Sequence, residues 1–258
     1  MEGVDYYETF APTVRFESIR SLIAFGVAEG WNFDQMDVST AFLYADLEEE
    51  TFVEVPEGVS GVEGMVWRLL KCLYGLKQSP RMWNQTIDKV LVEIGFVRLK
   101  TDHGVYVFGV GDGRVFIALY VDDLLMVWKR REVLEMVKRR LQEKFEMKDL
   151  GVATFLLGIE LRMHEGGDLF LVQQKYALEV VEKFGMGDSK PASTPFEPGS
   201  ILGVEGCPQN EKERAAMEVI PYRSLVGSLM YLAVCTRPDL AMGVSTLSRF
   251  CQDPGMLH

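Results

Sequence analysis

Residues 116–128 read Phe-Ile-Ala-Leu-Tyr-Val-Asp-Asp-Leu-Leu-Met-Val-Trp, and no other stretch restricts the fold as much. Two apolar, strand-like runs flank Asp122 and Asp123. A two-residue hairpin loop needs positive φ and favours Asn-Gly or Asp-Gly, so an Asp pair is a poor choice for one. Adjacent carboxylates also repel unless a cation lies between them and a ligand. The pair is therefore expected to serve a divalent metal rather than a turn.

A chain of 258 residues, 48% hydrophobic and 25% charged, can bury one large core or two smaller ones. Cys72, Cys207, Cys235 and Cys251 form no Cys-x-x-Cys pair and only three histidines accompany them, which speaks against zinc. They read as reduced thiols of an intracellular protein. No signal peptide is legible. The longest uncharged apolar stretch near the C-terminus, 224–235, is too short to span a bilayer, so no membrane partner is expected. A net charge of −11 argues against a general nucleic-acid binder. Its distribution changes the argument: residues 1–60 hold 13 acidic and two basic side chains, and the remainder is balanced. The basic clusters Lys71/Lys77/Arg81, Lys129-Arg130-Arg131 and Lys138-Arg139-Arg140 fit phosphate or, more simply, solvated surface.

Apolar periodicity predicts a helix over 17–29 stopped by Gly30, and a strand over 33–38 carrying Asp37 near its end. Strands are expected over 51–55 and 66–70, separated by a Gly-rich turn at 57–64. Ser79 as N-cap and Pro80 at the first helical position open a helix to residue 94, stopped by Gly95. Strands over 105–108 and 115–121 enclose a turn at 111–113. An amphipathic helix follows over 131–145, then a hairpin over 154–163 and 168–172. A helix over 175–184, an irregular connector over 185–213, and helices over 221–234 and 239–251 complete the chain. This order predicts an α+β domain followed by a mostly helical part.

Asp37 and Asp122, both at strand ends, can lie on neighbouring strands and share two Mg²⁺ ions, an arrangement that polymerases use. The motifs then become specific. Tyr120-Val121-Asp122-Asp123 resembles the Tyr-x-Asp-Asp box of reverse transcriptases. Residues 73–83, Leu-Tyr-Gly-Leu-Lys-Gln-Ser-Pro-Arg-Met-Trp, resemble the Leu-Tyr-Gly-Leu-Lys-Gln-(Ser/Ala)-Pro-Arg-x-Trp signature of copia-type LTR retrotransposon polymerases. Glu8-Thr9-Phe10-Ala11-Pro12, the 145–151 segment around Met147-Lys148-Asp149, Leu157-Gly158-Ile159-Glu160, the 222–232 segment and Thr236-Arg237-Pro238-Asp239 resemble further family motifs, in family order along the whole chain.

The resemblance implies a right-hand polymerase with an antiparallel palm sheet, flanking helices and partial fingers over 1–165, and a helical thumb and start of a connection over 166–258. It implies RNA-directed DNA synthesis from dNTPs on a primer 3′-hydroxyl, with two Mg²⁺ ions (or Mn²⁺ in their place). Asp37, Asp122 and Asp123 would be the catalytic carboxylates, and the Val38 carbonyl a further metal ligand. Phe42 would stack under the sugar and exclude a 2′-hydroxyl. Gly75, Lys77, Gln78, Ser79, Pro80 and Tyr120 would line the dNTP and template site. Lys148 would be a general acid for pyrophosphate, and Leu157, Gly158, Ile159 and Glu160 would form the primer grip. Implied partners are an RNA and DNA template-primer and, in the intact element, covalently linked integrase and RNase H. The implied location is intracellular: cytoplasmic within a virus-like particle, or nuclear.

The chain departs from the family pattern at Ser39, where lysine is usual, and at Tyr44-Ala45, where Asn-Gly is usual. The family's basic Lys-Ala-Arg-Leu-Val-Ala-Lys-Gly-Phe segment does not precede Glu8 here. These departures make a catalytically silent remnant, with at most weak nucleic-acid binding, the alternative reading. A palm-like nucleotide cyclase would give no reason for the 73–83 motif.

Overall fold

In a computed structural model, residues 6–59, 64–196, 199 and 202–258 are described. The turn expected at 57–64 and the connector expected at 185–213 fall partly outside them. The chain divides into two compact units, Met1–Ala153 and Thr154–His258. The described residues form a mixed fold of antiparallel sheets and seven α-helices.

The first unit is built on a six-stranded antiparallel sheet. Its elements are α1 (Phe16–Ala28), β1 (Asn32–Val38), β2 (Phe52–Glu54), β3 (Val66–Arg68), α2 (Ser79–Ile94), β4 (Val97–Arg98), β5 (Val105–Phe108), β6 (Val115–Tyr120), β7 (Asp123–Trp128), α3 (Arg131–Gln142) and β8 (Met147–Val152). The sheet order is β4-β5-β6-β7-β1-β8, while β2 and β3 pair separately. Alternation along the strands divides the apolar side chains between two faces. Met36, Val38, Ile117, Leu119, Leu124 and Met126 join Trp83, Ile87 and Leu91 of α2 and Leu134, Val137 and Leu141 of α3 in one core. On the other face Phe33 meets α1 at Gly26, where a Cβ would lie 2.5 Å from the Phe33 ring. Only glycine lets the helix approach the sheet that closely.

Lys138 of α3 is buried together with Asp34 of β1. Its ammonium donates to Asp34 Oδ2 at 2.6 Å and to both oxygens of Asp149 on β8, at 2.8 and 2.9 Å. Trp128 of β7 donates its indole N–H to Asp34 Oδ1 at 2.8 Å. Burial alone would lower the lysine, but its hydrogen bonds to Asp149 and Asp34 outweigh it and hold Lys138 above its ordinary pKa. Burial pushes Asp149 up, but the Lys138 and Gly151 N–H hydrogen bonds outweigh it and hold that carboxyl below the usual range.

The second unit contains β9 (Phe155–Leu156), β10 (Ile159–Met163) and β11 (Leu169–Val172) in the order β11-β10-β9, then α4 (Gln174–Lys183), α5 (Glu211–Glu218), α6 (Tyr222–Cys235) and α7 (Ala241–Ser248). Met217, Tyr222, Val226, Ala233 and Val244 form a core of its helices.

Several expectations need correction. Ser79 does not cap α2. The helix begins at Ser79 itself, and the hydroxyl donates to the Leu73 carbonyl at 2.7 Å, closing the preceding loop. The strand expected over 154–163 is two strands, β9 and β10, split by a turn at Leu157-Gly158. α5 begins inside the expected connector: the Asn210 side chain accepts the Glu213 N–H, and Glu213 in turn accepts the Gln209 N–H. β8 was not foreseen, because Met-Lys-Asp-Leu-Gly-Val has no period-2 alternation and most of it is exposed.

Lys138→Met leaves Asp34 buried without its cation, and a loss of about 3–5 kcal/mol is expected in urea denaturation. The Asp149 contribution is present above the ordinary carboxylate range and is lost as pH falls, so stability should decline on acidification in wild type and less in Asp149→Asn.

Candidate active site

β1 lies between β7 and β8, and its register sets the site. Asp37 lies opposite Asp123 of β7 on one side and opposite Lys148 of β8 on the other. Cross-strand partners point to the same sheet face, with Cβ atoms about 4.5–5.5 Å apart. Gln35, two residues before Asp37, shares that face and donates its amide to Asp123 Oδ1 at 3.1 Å.

β6 and β7 pair with Tyr120 opposite Asp123, so Val121 and Asp122 form a two-residue hairpin loop. This corrects the expectation that the acidic pair avoids a turn: Asp122 is in the turn and Asp123 begins β7. The left-handed residue is Val121, at φ 58°. A β-branched residue there costs roughly 1–2 kcal/mol. Two tertiary hydrogen bonds, each worth about 0.5–1.5 kcal/mol net, offset that cost. The Trp83 indole N–H donates to the Val121 carbonyl at 2.7 Å, and the Val38 N–H donates to the Asp122 carbonyl at 3.0 Å.

Burial raises the Asp122 carboxyl, a local backbone N–H opposes this, and the Asp37 charge adds to the rise. Asp123 is also raised, first by burial, with Gln35 opposing and Asp122 and Asp37 adding. The site thus concentrates negative charge that the protein leaves poorly compensated. Tyr74 senses the same field: burial, then Asp122 and Asp37, raise its phenol. Its ring centroid lies 4.6 Å from that of Phe42, which is buried.

The loop before α2 is folded tightly. Gly75 has φ 100°, a conformation that glycine adopts without strain. Gln78 is buried and donates to Glu49 at 3.3 Å. Pro80 sits in the first turn of α2. Several of the cations considered for phosphate have protein partners: Lys71 pairs with Asp46, Lys77 with the Tyr6 hydroxyl, Arg81 with Glu8, Lys129 with Asp112 and Arg131 with Glu135. Lys148 is exposed. Leu157, Gly158, Ile159 and Glu160 belong to the second unit. There Leu157 (φ 47°) and Gly158 (φ 77°) form the β9–β10 turn, and the Tyr231 hydroxyl donates to the Leu157 carbonyl.

Tyr44, a departure from the family pattern, has a defined place. Its hydroxyl accepts the Glu146 N–H at 2.7 Å, and its ring packs with those of Trp83 and Phe145.

Among the described residues, no three His, Cys, Asp or Glu side chains form a ready-made metal cage. Magnesium is commonly held by one or two carboxylates together with substrate phosphates. The hard oxygen donors of Asp37 and Asp122, in a field that raises neighbouring acids, fit that mode. Gln35, Tyr74 and Trp83 were not expected at the site as functional groups. For Gln35 the period-2 spacing from Asp37 was the available signal.

A family model described as reverse transcriptase (RNA-dependent DNA polymerase) matches residues 1–198. The chain belongs to this family. The retrovirus-related Pol polyprotein from transposon TNT 1-94 of Nicotiana tabacum is 41% identical over 100% of this chain and 20% of its own length. The corresponding polyprotein from transposon RE1 of Arabidopsis thaliana is 34% identical over 99% of this chain and 17% of its own. A putative transposon Ty5-1 protein of Saccharomyces cerevisiae is 35% identical over 86% of this chain and 71% of its own. This reverse transcriptase chain is of the copia type and spans about a fifth of the first two relatives. No helix among the described residues is long and apolar enough to cross a membrane.

Asp122→Asn should stabilise the reverse transcriptase at neutral pH. A carboxyl raised in the folded state costs stability as pH climbs from the ordinary carboxylate range through the folded value. Calorimetry without divalent cations should show a smaller decline over that window than wild type, and a Tm about 2–4 °C higher at neutral pH.

Proposed function

We propose that this chain is the RNA-directed DNA polymerase domain of a copia-type retrotransposon, joining dNTPs to a primer 3′-hydroxyl. The supporting observation is the convergence of Asp37, Asp122 and Asp123 at adjoining strand ends, with Asp122 on a turn held from two sides. In this reading the six-stranded sheet with its helices is the palm, with part of the fingers. The primer grip is Leu157–Glu160, within the 1–165 palm region, and residues 166–258 form the thumb and the start of a connection.

Asp37 and Asp122 would hold two Mg²⁺ ions, aided by the Val38 carbonyl. Such ions, when bound, supply activation of the 3′-hydroxyl and charge stabilisation at the triphosphate. Asp123, fixed by Gln35, adds negative potential beside them. Phe42, backed by Tyr74, presents a rigid aromatic surface to the sugar and selects against a 2′-hydroxyl. The loop carrying Gly75, Lys77, Gln78, Ser79 and Pro80, with Tyr120, shapes the floor under the template base and incoming nucleotide. Lys148 would give a proton to departing pyrophosphate. The template-primer is RNA and DNA, and the setting is intracellular, in a cytoplasmic particle or the nucleus.

Primer extension on an RNA template with Mg²⁺ tests this reading. Extension should fall by at least about 10²–10³-fold in Asp122→Asn. Phe42→Val should raise incorporation of ribonucleotides relative to deoxyribonucleotides. A chain preceded by the family's basic segment should extend primers at least as well. Absence of extension there too would leave the silent-remnant reading, with salt-sensitive template binding as its signature.

A further inference from the structure

Trp83 is almost fully buried on α2, yet its one polar atom is directed at the backbone of the catalytic turn. The turn has a reason to relax: Val121 is β-branched and left-handed. It also has space to do so, because a cavity of about 290 Å³ lined by Phe10, Pro12, Trp83, Asn84 and Val121 adjoins it. Packing on that side therefore does not lock the turn. The indole itself is locked, edge-on against Phe145 at 5.1 Å and tilted against Tyr44 at 6.4 Å. The Glu146 carbonyl accepts the Ser39 N–H, so this aromatic cluster is tied to the end of β1 that carries Asp37.

We propose that Trp83 is a positioning residue, whose indole N–H holds the Val121 carbonyl and thereby sets where the Asp122 carboxylate lies relative to Asp37. It rests on the carboxylate site proposed above, but its main test needs neither metal nor turnover.

Trp83→Phe removes the donor and keeps an aromatic ring. The Val38 amide, which donates to the Asp122 carbonyl, reports on the turn by hydrogen exchange. Its protection should fall about tenfold, while amides of β5 and of α3 change by less than about twofold. Mn²⁺ binding followed by electron paramagnetic resonance should weaken. In extension assays kcat should fall by roughly 10²-fold with the template-primer KM little changed. In a Val121→Gly background the same substitution should cost only about threefold, because glycine adopts the left-handed conformation without strain.

Wild-type protection at Val38 in Trp83→Phe, or a uniform loss across the sheet, would overturn the proposal. So would an undiminished effect in the Val121→Gly background. If Trp83→Phe does not fold, 3-benzothienylalanine at position 83 keeps the bicyclic shape and removes only the N–H, with the same outcomes read. If the exchange result holds while neither the wild-type chain nor the chain preceded by the basic segment extends a primer, the polymerase reading fails and the positioning role stands.

Discussion

The buried contact among Asp34, Lys138 and Asp149 is the constraint on which the first unit depends. It joins β1, β8 and α3, and the Trp128 indole adds β7. A period-2 strand that slips by one residue turns every side chain to the opposite face. In β1 a slip would carry Asp37 away from Asp123 and bury it under α2. The charges prevent this, because Asp34 in any other register would be buried without its lysine and indole. Burying the Asp34 and Lys138 charges, with the exposed Asp149 completing the contact, is a poor way to gain stability compared with apolar packing, and its yield here is a unique register. The Gln35/Met36 irregularity between β1 and β8 lies beside this contact, so the edge strand can reach Lys138 and still place Lys148 across from Asp37.

The candidate site around Asp37 reverses that electrostatic logic. Around Lys138 opposite charges satisfy one another. Around Asp37 the nearby ionisable groups are mostly acids, and Asp122, Asp123 and the Tyr74 phenol all rise. The sheet carries both environments on one strand, three residues apart and on opposite faces: Asp34 compensated and buried, Asp37 part-exposed with other acids close by. Alternation of side chains along β1 keeps the lysine of the first from quenching the second.

Much of this was legible in the chain. Periodicity located α1, Pro80 and Gly95 bracketed α2, short strand-like runs located β1, β5 and β6, and Gly30 and Gly95 marked the two helix ends where their positive φ is required. The strand-end position of Asp37 was visible from the apolar residues before it. What was not legible depended on tertiary partners. An Asp-Asp pair argues against a hairpin loop when judged by local propensity alone, and the argument failed because the left-handed residue is Val121, held by a helix 38 residues earlier in the chain. β8 was hidden by its polar composition, since an edge strand needs little apolar surface. Tyr44 read as a departure from the family pattern, and only the fold shows its hydroxyl bonded to the Glu146 amide.

The β9–β10 turn has the same construction as the Val121-Asp122 turn: a non-glycine residue in the left-handed region, its carbonyl held by an aromatic donor from a distant helix, here Tyr231 acting on Leu157. A Cβ at Gly158 would lie 2.6 Å from that hydroxyl oxygen, so the turn and its holder must change together. Retroelements persist as many copies that accumulate substitutions independently. In such a population an intact Tyr-Val-Asp-Asp box is a poor certificate of a working copy. The codons for Trp83, Tyr231 and Gly158 lie far from it in the reading frame, and the age of a lineage can be written there first.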